Sequence, residues 1–209
     1  MAKVATLKKS DVEMIPYEAE RTIKMGRLCV VVDGISPLLT HNPESMSTSG
    51  GDAKKGGRIP TPEVEAEAGC YRLEDGSFGI KGEAFRSSDL GAAGAWKMKK
   101  TSARSRIAHI RVVEELVQLQ RRDGTPIDEY VIDRRRAIVQ RAGIIRCRPR
   151  FDEWSCVFTI EFDPALDPDP KLIVDILQDA GGRIGVGDYR PSKNGWFGRF
   201  VVRSYAVLD

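Results

Sequence analysis

Residues 154–162 read WSCVFTIEF, and this run constrains the fold more than any other part of the chain. Trp154, Cys156, Phe158, Ile160 and Phe162 fall on one parity and Ser155, Thr159 and Glu161 on the other, the pattern of an antiparallel strand buried on one face. Such a strand needs a layer over its apolar side. After DPALDP, Asp169 is placed to cap a helix and Pro170 to occupy its first position. Leu172, Ile173, Ile176 and Leu177 form the apolar stripe, and Gly181-Gly182 marks the predicted end. GRFVVRSYAV then reads as a closing strand, so the last third is a strand–helix–strand unit.

Near the other end, RLCVVVDGISPLL from Arg27 is apolar on both parities, which predicts a central strand buried on both faces and ended by Gly34 and Pro37. Residues 1–26 are polar without clear periodicity and read as an N-terminal arm. Asn42 and Pro43 have the chemistry of a helix start, whereas residues 47–62 offer no apolar face and predict a flexible insertion. PEVEAEAGCYRL follows as a short helical stretch. Next come a turn at Asp75-Gly76, a strand with Phe78 and Ile80, and a small-residue helix around Phe85 to Trp96. The middle is strand-rich, with a turn at 122–125. This order predicts an α+β fold, a ferredoxin-like or RRM-type antiparallel sheet with helices on one face. Residues 27–209 form one domain with a loop insertion and an elaborated middle.

With 209 residues, 41% of them hydrophobic, the chain can bury such a core. Its 33 basic and 30 acidic residues nearly cancel, to a net +3, so the distribution of charge has to decide whether nucleic acid is a partner. Cys29, Cys70, Cys147 and Cys156 lack C-x-x-C spacing and have two histidines to help them, which predicts reduced thiols, no metal and no cofactor. No apolar run approaches the roughly 20 residues that span a bilayer, and the N-terminus lacks the apolar core of a secretory signal. The expectation is therefore a cytoplasmic protein with no membrane partner.

The basic residues are clustered. Between Lys97 and Arg111, a run that includes Arg104 and Arg106, there is no acid; between Asp133 and Asp152 there are seven arginines and again no acid. Alternation in IIRCRPRF sends Arg146, Arg148 and Arg150 to one face, where three guanidinium groups repel unless acids or phosphates lie opposite. Both readings stand for that face, and a solvated loop stands beside a binding role for the 97–111 run. Lys54, Lys55 and Arg58 fall in the insertion. The helix start near Gly82 is a candidate anion site, with Lys81, Arg86, Ser87 and Ser88 close by. Finally, GRIGVGDYRPSKNGWFGRFVV (182–202) sets glycines that permit positive φ and close phosphate approach among Arg190, Lys193, Trp196 and Arg199. Gly187 and Gly195 are its candidate phosphate-approach positions, and a plain hairpin connection is the alternative.

Gly185-Val-Gly187, then seven residues, then Gly195-Trp-Phe-Gly198-Arg-Phe-Val-Val resembles the C-terminal glycine-rich loop of the RAMP superfamily, the ferredoxin-like RNA-binding subunits of CRISPR effector complexes. SFGIKGEAFRSS resembles the strand, glycine turn and helix start by which their backbone subunits approach guide-RNA phosphates. The chain is more similar still to small phage and prophage proteins with PLL(T/M)H near the first strand and G-V-G-(D/E)-(W/Y)-R-P before G-R-F. The resemblance implies a non-catalytic protein that binds single-stranded nucleic acid, RNA or DNA, and self-associates side by side into a helical oligomer, in a bacterial host cell. Two other readings stay open. One is a metal-independent RNA endonuclease of RAMP type, with His41 as general base and Lys54 or Lys55 steadying developing charge. The other is a phage structural or assembly protein whose basic face meets packaged genome or a partner subunit.

Overall fold

A computed structural model describes residues 24–43, 60–98, 101–139, 142–166 and 169–208. The expected arm up to residue 23 and residues 44–59 of the insertion, with Lys54, Lys55 and Arg58, lie outside the described residues, as does any helix after Pro43. The elements are β1 (Gly26–Gly34), β2 (Leu38–Leu39), α1 (Pro62–Ala68), β3 (Tyr71–Arg72), β4 (Phe78–Lys81), α2 (Gly82–Ala93), β5 (Lys97–Met98), β6 (Thr101–Ser102) and α3 (Ala103–Arg106). They continue with β7 (Arg111–Val112), β8 (Leu116–Gln118), β9 (Val131–Val139), β10 (Ala142–Phe151), β11 (Ser155–Phe162), α4 (Lys171–Arg183) and β12 (Phe200–Leu208).

This is an α+β fold whose sheets pair antiparallel. The largest sheet has the order β12-β1-β11-β7, and α2 and α4 pack together on one of its faces. Leu28, Val30, Val32, Phe158 and Ile160 from the strands meet Phe85, Ile173, Ile176 and Leu177 from the helices in one core. Phe85 stacks on Phe158 with ring centres 4.4 Å apart and meets Phe200 edge-on at 5.7 Å. The expectation that β1 is buried on both faces is overturned. Leu28, Val30 and Val32 are buried, but Cys29 and Val31 between them are only half-buried, because no layer of described residues covers the sheet's other face. Glu161 ties that open face together, accepting from Arg27 at 2.9 Å and Arg111 at 2.6 Å. Those guanidinium groups, Arg111 first, hold its carboxyl below the usual carboxylate range.

Helix α4 departs from its expected ends. Asp169 Oδ1 accepts the Lys171 amide at 3.0 Å, but Pro170 itself is the cap residue. Gly181 and Gly182 do not stop the helix, which runs to Arg183. Gly181 answers a packing need instead: an added Cβ would lie 2.1 Å from the Phe200 carbonyl oxygen, so the glycine lets α4 approach β12. Positive φ first comes at Gly185. Helix α2 starts at Gly82, three residues before its expected first turn. The 97–111 run is not a plain solvated loop either. Its described residues form the antiparallel pair β5–β6 and the one-turn α3, anchored by buried Ala103, Ile107 and Ile110.

Two smaller sheets, β2-β10-β9 and β3-β4-β8, complete the body. The four cysteines are free thiols, and no helix of the described residues is long and apolar enough to cross a membrane.

Asp89 on α2 is buried, and neither carboxylate oxygen has a hydrogen-bond partner among the described residues. Burial holds its pKa well above the usual carboxylate range. The folded chain therefore keeps a proton that the unfolded chain releases above about pH 3.9, and stability falls as pH rises between those two pKa values. Asp89→Asn is expected to remove this contribution, so that its stability advantage over wild type in denaturant titrations grows with pH from about pH 4 upward, at up to about 1.4 kcal/mol per unit.

Candidate nucleic-acid interface

The glycine-rich connection between α4 and β12 folds back over β2 and the β9–β10 hairpin. Asp188 N–H donates to Leu39 O at 2.8 Å, and Gly198 N–H to Pro37 O at 2.8 Å. At Gly187, with φ of 73°, an added Cβ would stand 2.4 Å from Leu39 O; at Gly195 it would stand 1.6 Å from Tyr189 O. These two glycines, expected to admit phosphate, instead admit neighbouring chain. Arg190 Nη1 donates to Gly187 O at 2.8 Å, and Arg199 Nε to Gly182 O at 3.2 Å. Both arginines thus brace the loop they belong to.

One flank of the loop closes a groove of about 630 Å³. His41 and Asn42 follow β2 into it, Lys81 and Glu83 come from the β4–α2 junction, Ser87 and Ser88 from α2, and Gly187, Asp188 and Arg190 from the loop. Six residues singled out in separate parts of the sequence, His41, Lys81, Ser87, Ser88, Gly187 and Arg190, are therefore brought together. No side chain caps the start of α2; its first amide, Gly82 N–H, donates to the Glu115 carbonyl at 2.9 Å, and the residues that follow, Glu83 and Ala84, line the groove. Ser88 is buried and its Oγ has no partner among the described residues. The charge is mixed. Glu83 is an acid at the helix start, and Lys81 Nζ lies 3.4 Å from Glu115. Asp188 Oδ2 is offset by Arg148 Nε at 2.9 Å. Burial, and then Arg148, lower the His41 pKa, so the imidazole is neutral at pH 7.

The face of Arg146, Arg148 and Arg150 is present on β10, and acids lie opposite it. Arg146 pairs with Glu65 of α1 at 2.9 Å, Arg148 with Asp188, and Arg150 with Asp152 at 2.7 Å and Asp133 at 3.7 Å. Of these, Asp133 comes from the neighbouring strand and Asp152 from the turn just after β10; Glu65 and Asp188 arrive from a helix and the loop, which sequence adjacency does not reveal. Glu65 also accepts the Cys147 amide at 3.2 Å, closing the exposed edge of β10. These arginines hold α1 and the loop against the hairpin.

Sequence reasoning missed Arg135, which β9 places opposite Arg146. Asp133 grips it with bonds of 2.6 and 3.1 Å. Its guanidinium carbon lies 4.5 Å from the Phe197 ring centre, 5.7 Å from Tyr189 and 5.8 Å from Trp196. Phe197 is buried, and Trp196 packs on it with ring centres 4.2 Å apart. Trp196 and Tyr189 stay 52% and 40% exposed, so the loop's second flank is an aromatic surface seated on a cation. Lys193 is exposed between them in sequence. The signal available was the second position of the Arg134–Arg136 run, on the parity of Asp133.

The other candidates stand elsewhere. Arg86 donates to the carbonyls of Ile110 at 2.7 Å and Ala108 at 3.0 Å, clamping the 107–110 segment to α2. Arg104 and Arg106 are exposed on α3, outside the groove lining. The chain matches no protein-family model and no curated protein.

Proposed function

We propose that this protein binds single-stranded nucleic acid without cutting it, and assembles side by side along the strand. The observation that carries the reading is that one loop exposes aromatic rings on one flank and closes a groove with cations on the other. It presents exposed Trp196 and Tyr189 for stacking and, on its other flank, closes a groove where Lys81, Arg190 and the first turns of α2, with Ser87 and Ser88, are available to phosphates. Bases stack on aromatic faces with little sequence preference, and cations track the backbone. The strand order β12-β1-β11-β7, with α2 and α4 as the two crossovers on one face, supports a ferredoxin-like core and with it the RAMP-type reading.

Fluorescence anisotropy with labelled single-stranded RNA and DNA tests the proposal. Binding is expected for at least one of the two, falling with salt at a log–log slope of about −2 for roughly three neutralised phosphates. No binding of either strand at low salt ends the proposal. His41 gives the groove a second reading, general-base cleavage, because its imidazole is neutral and lines the same space. Gel analysis of RNA incubated with wild type and His41→Ala separates the two: a non-catalytic binder leaves the strand intact in both.

A further inference from the structure

The β9–β10 hairpin carries a second groove, of about 660 Å³, on the side of Pro62. Its floor is apolar. Ile145 is 70% exposed, with Ile144 and Cys147 alongside. Arg134 and Arg136 are exposed on its rim, and the Arg136 guanidinium lies over Gly143, where an added Cβ would meet Nε at 2.6 Å. Glu63 of α1 lies near Arg134. An apolar floor between guanidinium groups fits an exposed apolar side chain flanked by carboxylates.

The chain carries that complement after β11. Leu166 is 52% exposed between Asp163 and Asp169. Asp163 Oδ1 accepts the Ala165 amide at 2.9 Å and Asp169 Oδ1 the Lys171 amide at 3.0 Å, which fixes both carboxylates and leaves the second oxygen of each uncommitted among the described residues. The Lys171 ammonium is held by Asp175 at 2.6 Å, with Asp169 a weaker electrostatic neighbour. β1 pairs antiparallel with β11, and β2 with β10, so β10 and β11 run on through the short 152–154 link. The basic groove lies along the first half of β10, and the acidic turn follows the far end of β11.

We propose that the groove formed by Arg134, Arg136 and Ile145 takes Asp163, Leu166 and Asp169 of a second copy of this chain, with Leu166 over Ile145. The contact is head-to-tail and uses different surfaces on the two copies, which makes an open filament or a ring. It rests on the side-by-side part of the proposed function and needs no nucleic acid.

Sedimentation velocity without nucleic acid tests it. Wild type is expected to self-associate with rising concentration, less so at high salt. Arg134→Glu with Arg136→Glu is expected to weaken association about tenfold or more. Asp163→Asn, Leu166→Ala and Asp169→Asn combined, which keeps the turn's acceptor geometry, is expected to do the same. Mixed in equal amounts, the two variants retain one working interface between them and form 1:1 dimers but nothing larger. Thermal melts followed by circular dichroism establish that both variants fold. A wild type that stays monomeric up to about 100 μM, a variant that still assembles, or a mixture that stays monomeric overturns the inference. Failed strand binding in the anisotropy assay would sink the proposed function while leaving this interface standing.

Discussion

Gly195→Val is expected to lower the stability of the domain by about 3 kcal/mol or more, a fall in Tm of about 10 °C for a chain of this size. The reason is local and severe. The first atom of any side chain at this position would sit 1.6 Å from the Tyr189 carbonyl oxygen, and that oxygen already accepts the Phe197 amide at 3.3 Å. Moving Tyr189 away would disturb the seat of Arg135 and the burial of Phe197, which is fully enclosed. Gly182→Ala is the matched control, since nothing lies within 4 Å of its added Cβ and the residue is helical. It is expected to be neutral or to stabilise by up to about 1 kcal/mol. Thermal melts followed by circular dichroism check both. A Gly195→Val protein as stable as wild type would mean that the loop does not cross itself as described.

Trp196→Ala is expected to weaken binding of a single strand by about 1–3 kcal/mol, about fivefold to 150-fold in Kd, with little change in Tm. The indole is half exposed and packs on Phe197 and the Arg135 guanidinium from the solvent side, so its removal strips stacking surface without opening a cavity. Arg146→Ala should behave in the opposite way. It is paired with Glu65, which also closes the β10 edge, so its loss is expected to show as instability before it shows as weaker binding. Anisotropy and melting of the two variants side by side separate the binding surface from its scaffold. If Trp196→Ala binds as wild type does, stacking on this loop has no part in recognition.

The parts of the fold written in short periods were legible in the sequence. The alternation of residues 154–162 became β11, the stripe of Leu172, Ile173, Ile176 and Leu177 became α4, and the closing strand became β12. What could not be read was what packs on what. β1 is apolar on both parities, yet the described residues cover only one side of its sheet, and nothing in GRLCVVVDG tells the two sides apart. The glycines misled for a related reason. A glycine required by a close approach looks the same in sequence whether a phosphate, a strand or a helix makes the approach, and at Gly181, Gly187 and Gly195 it is the chain's own backbone. The arginine face of β10 was placed on the right strand and parity, but its partners, Glu65 and Asp188, come from positions 81 and 40 residues away from the arginines they meet. The groove itself joins four chain segments, so its convergence is a property of topology alone.

The most direct test of the central claim locates the strand on the protein. Single-stranded oligonucleotides carrying 4-thiouridine or bromodeoxyuridine are bound to wild type, irradiated and mapped by mass spectrometry of the crosslinked peptides. Crosslinks at Tyr189 or Trp196, with further contacts along 40–43 or 81–88, are expected if the loop supplies the stacking surface and its groove the phosphate contacts. Crosslinks confined to α3 or to β9 and β10, or none at all, would contradict it.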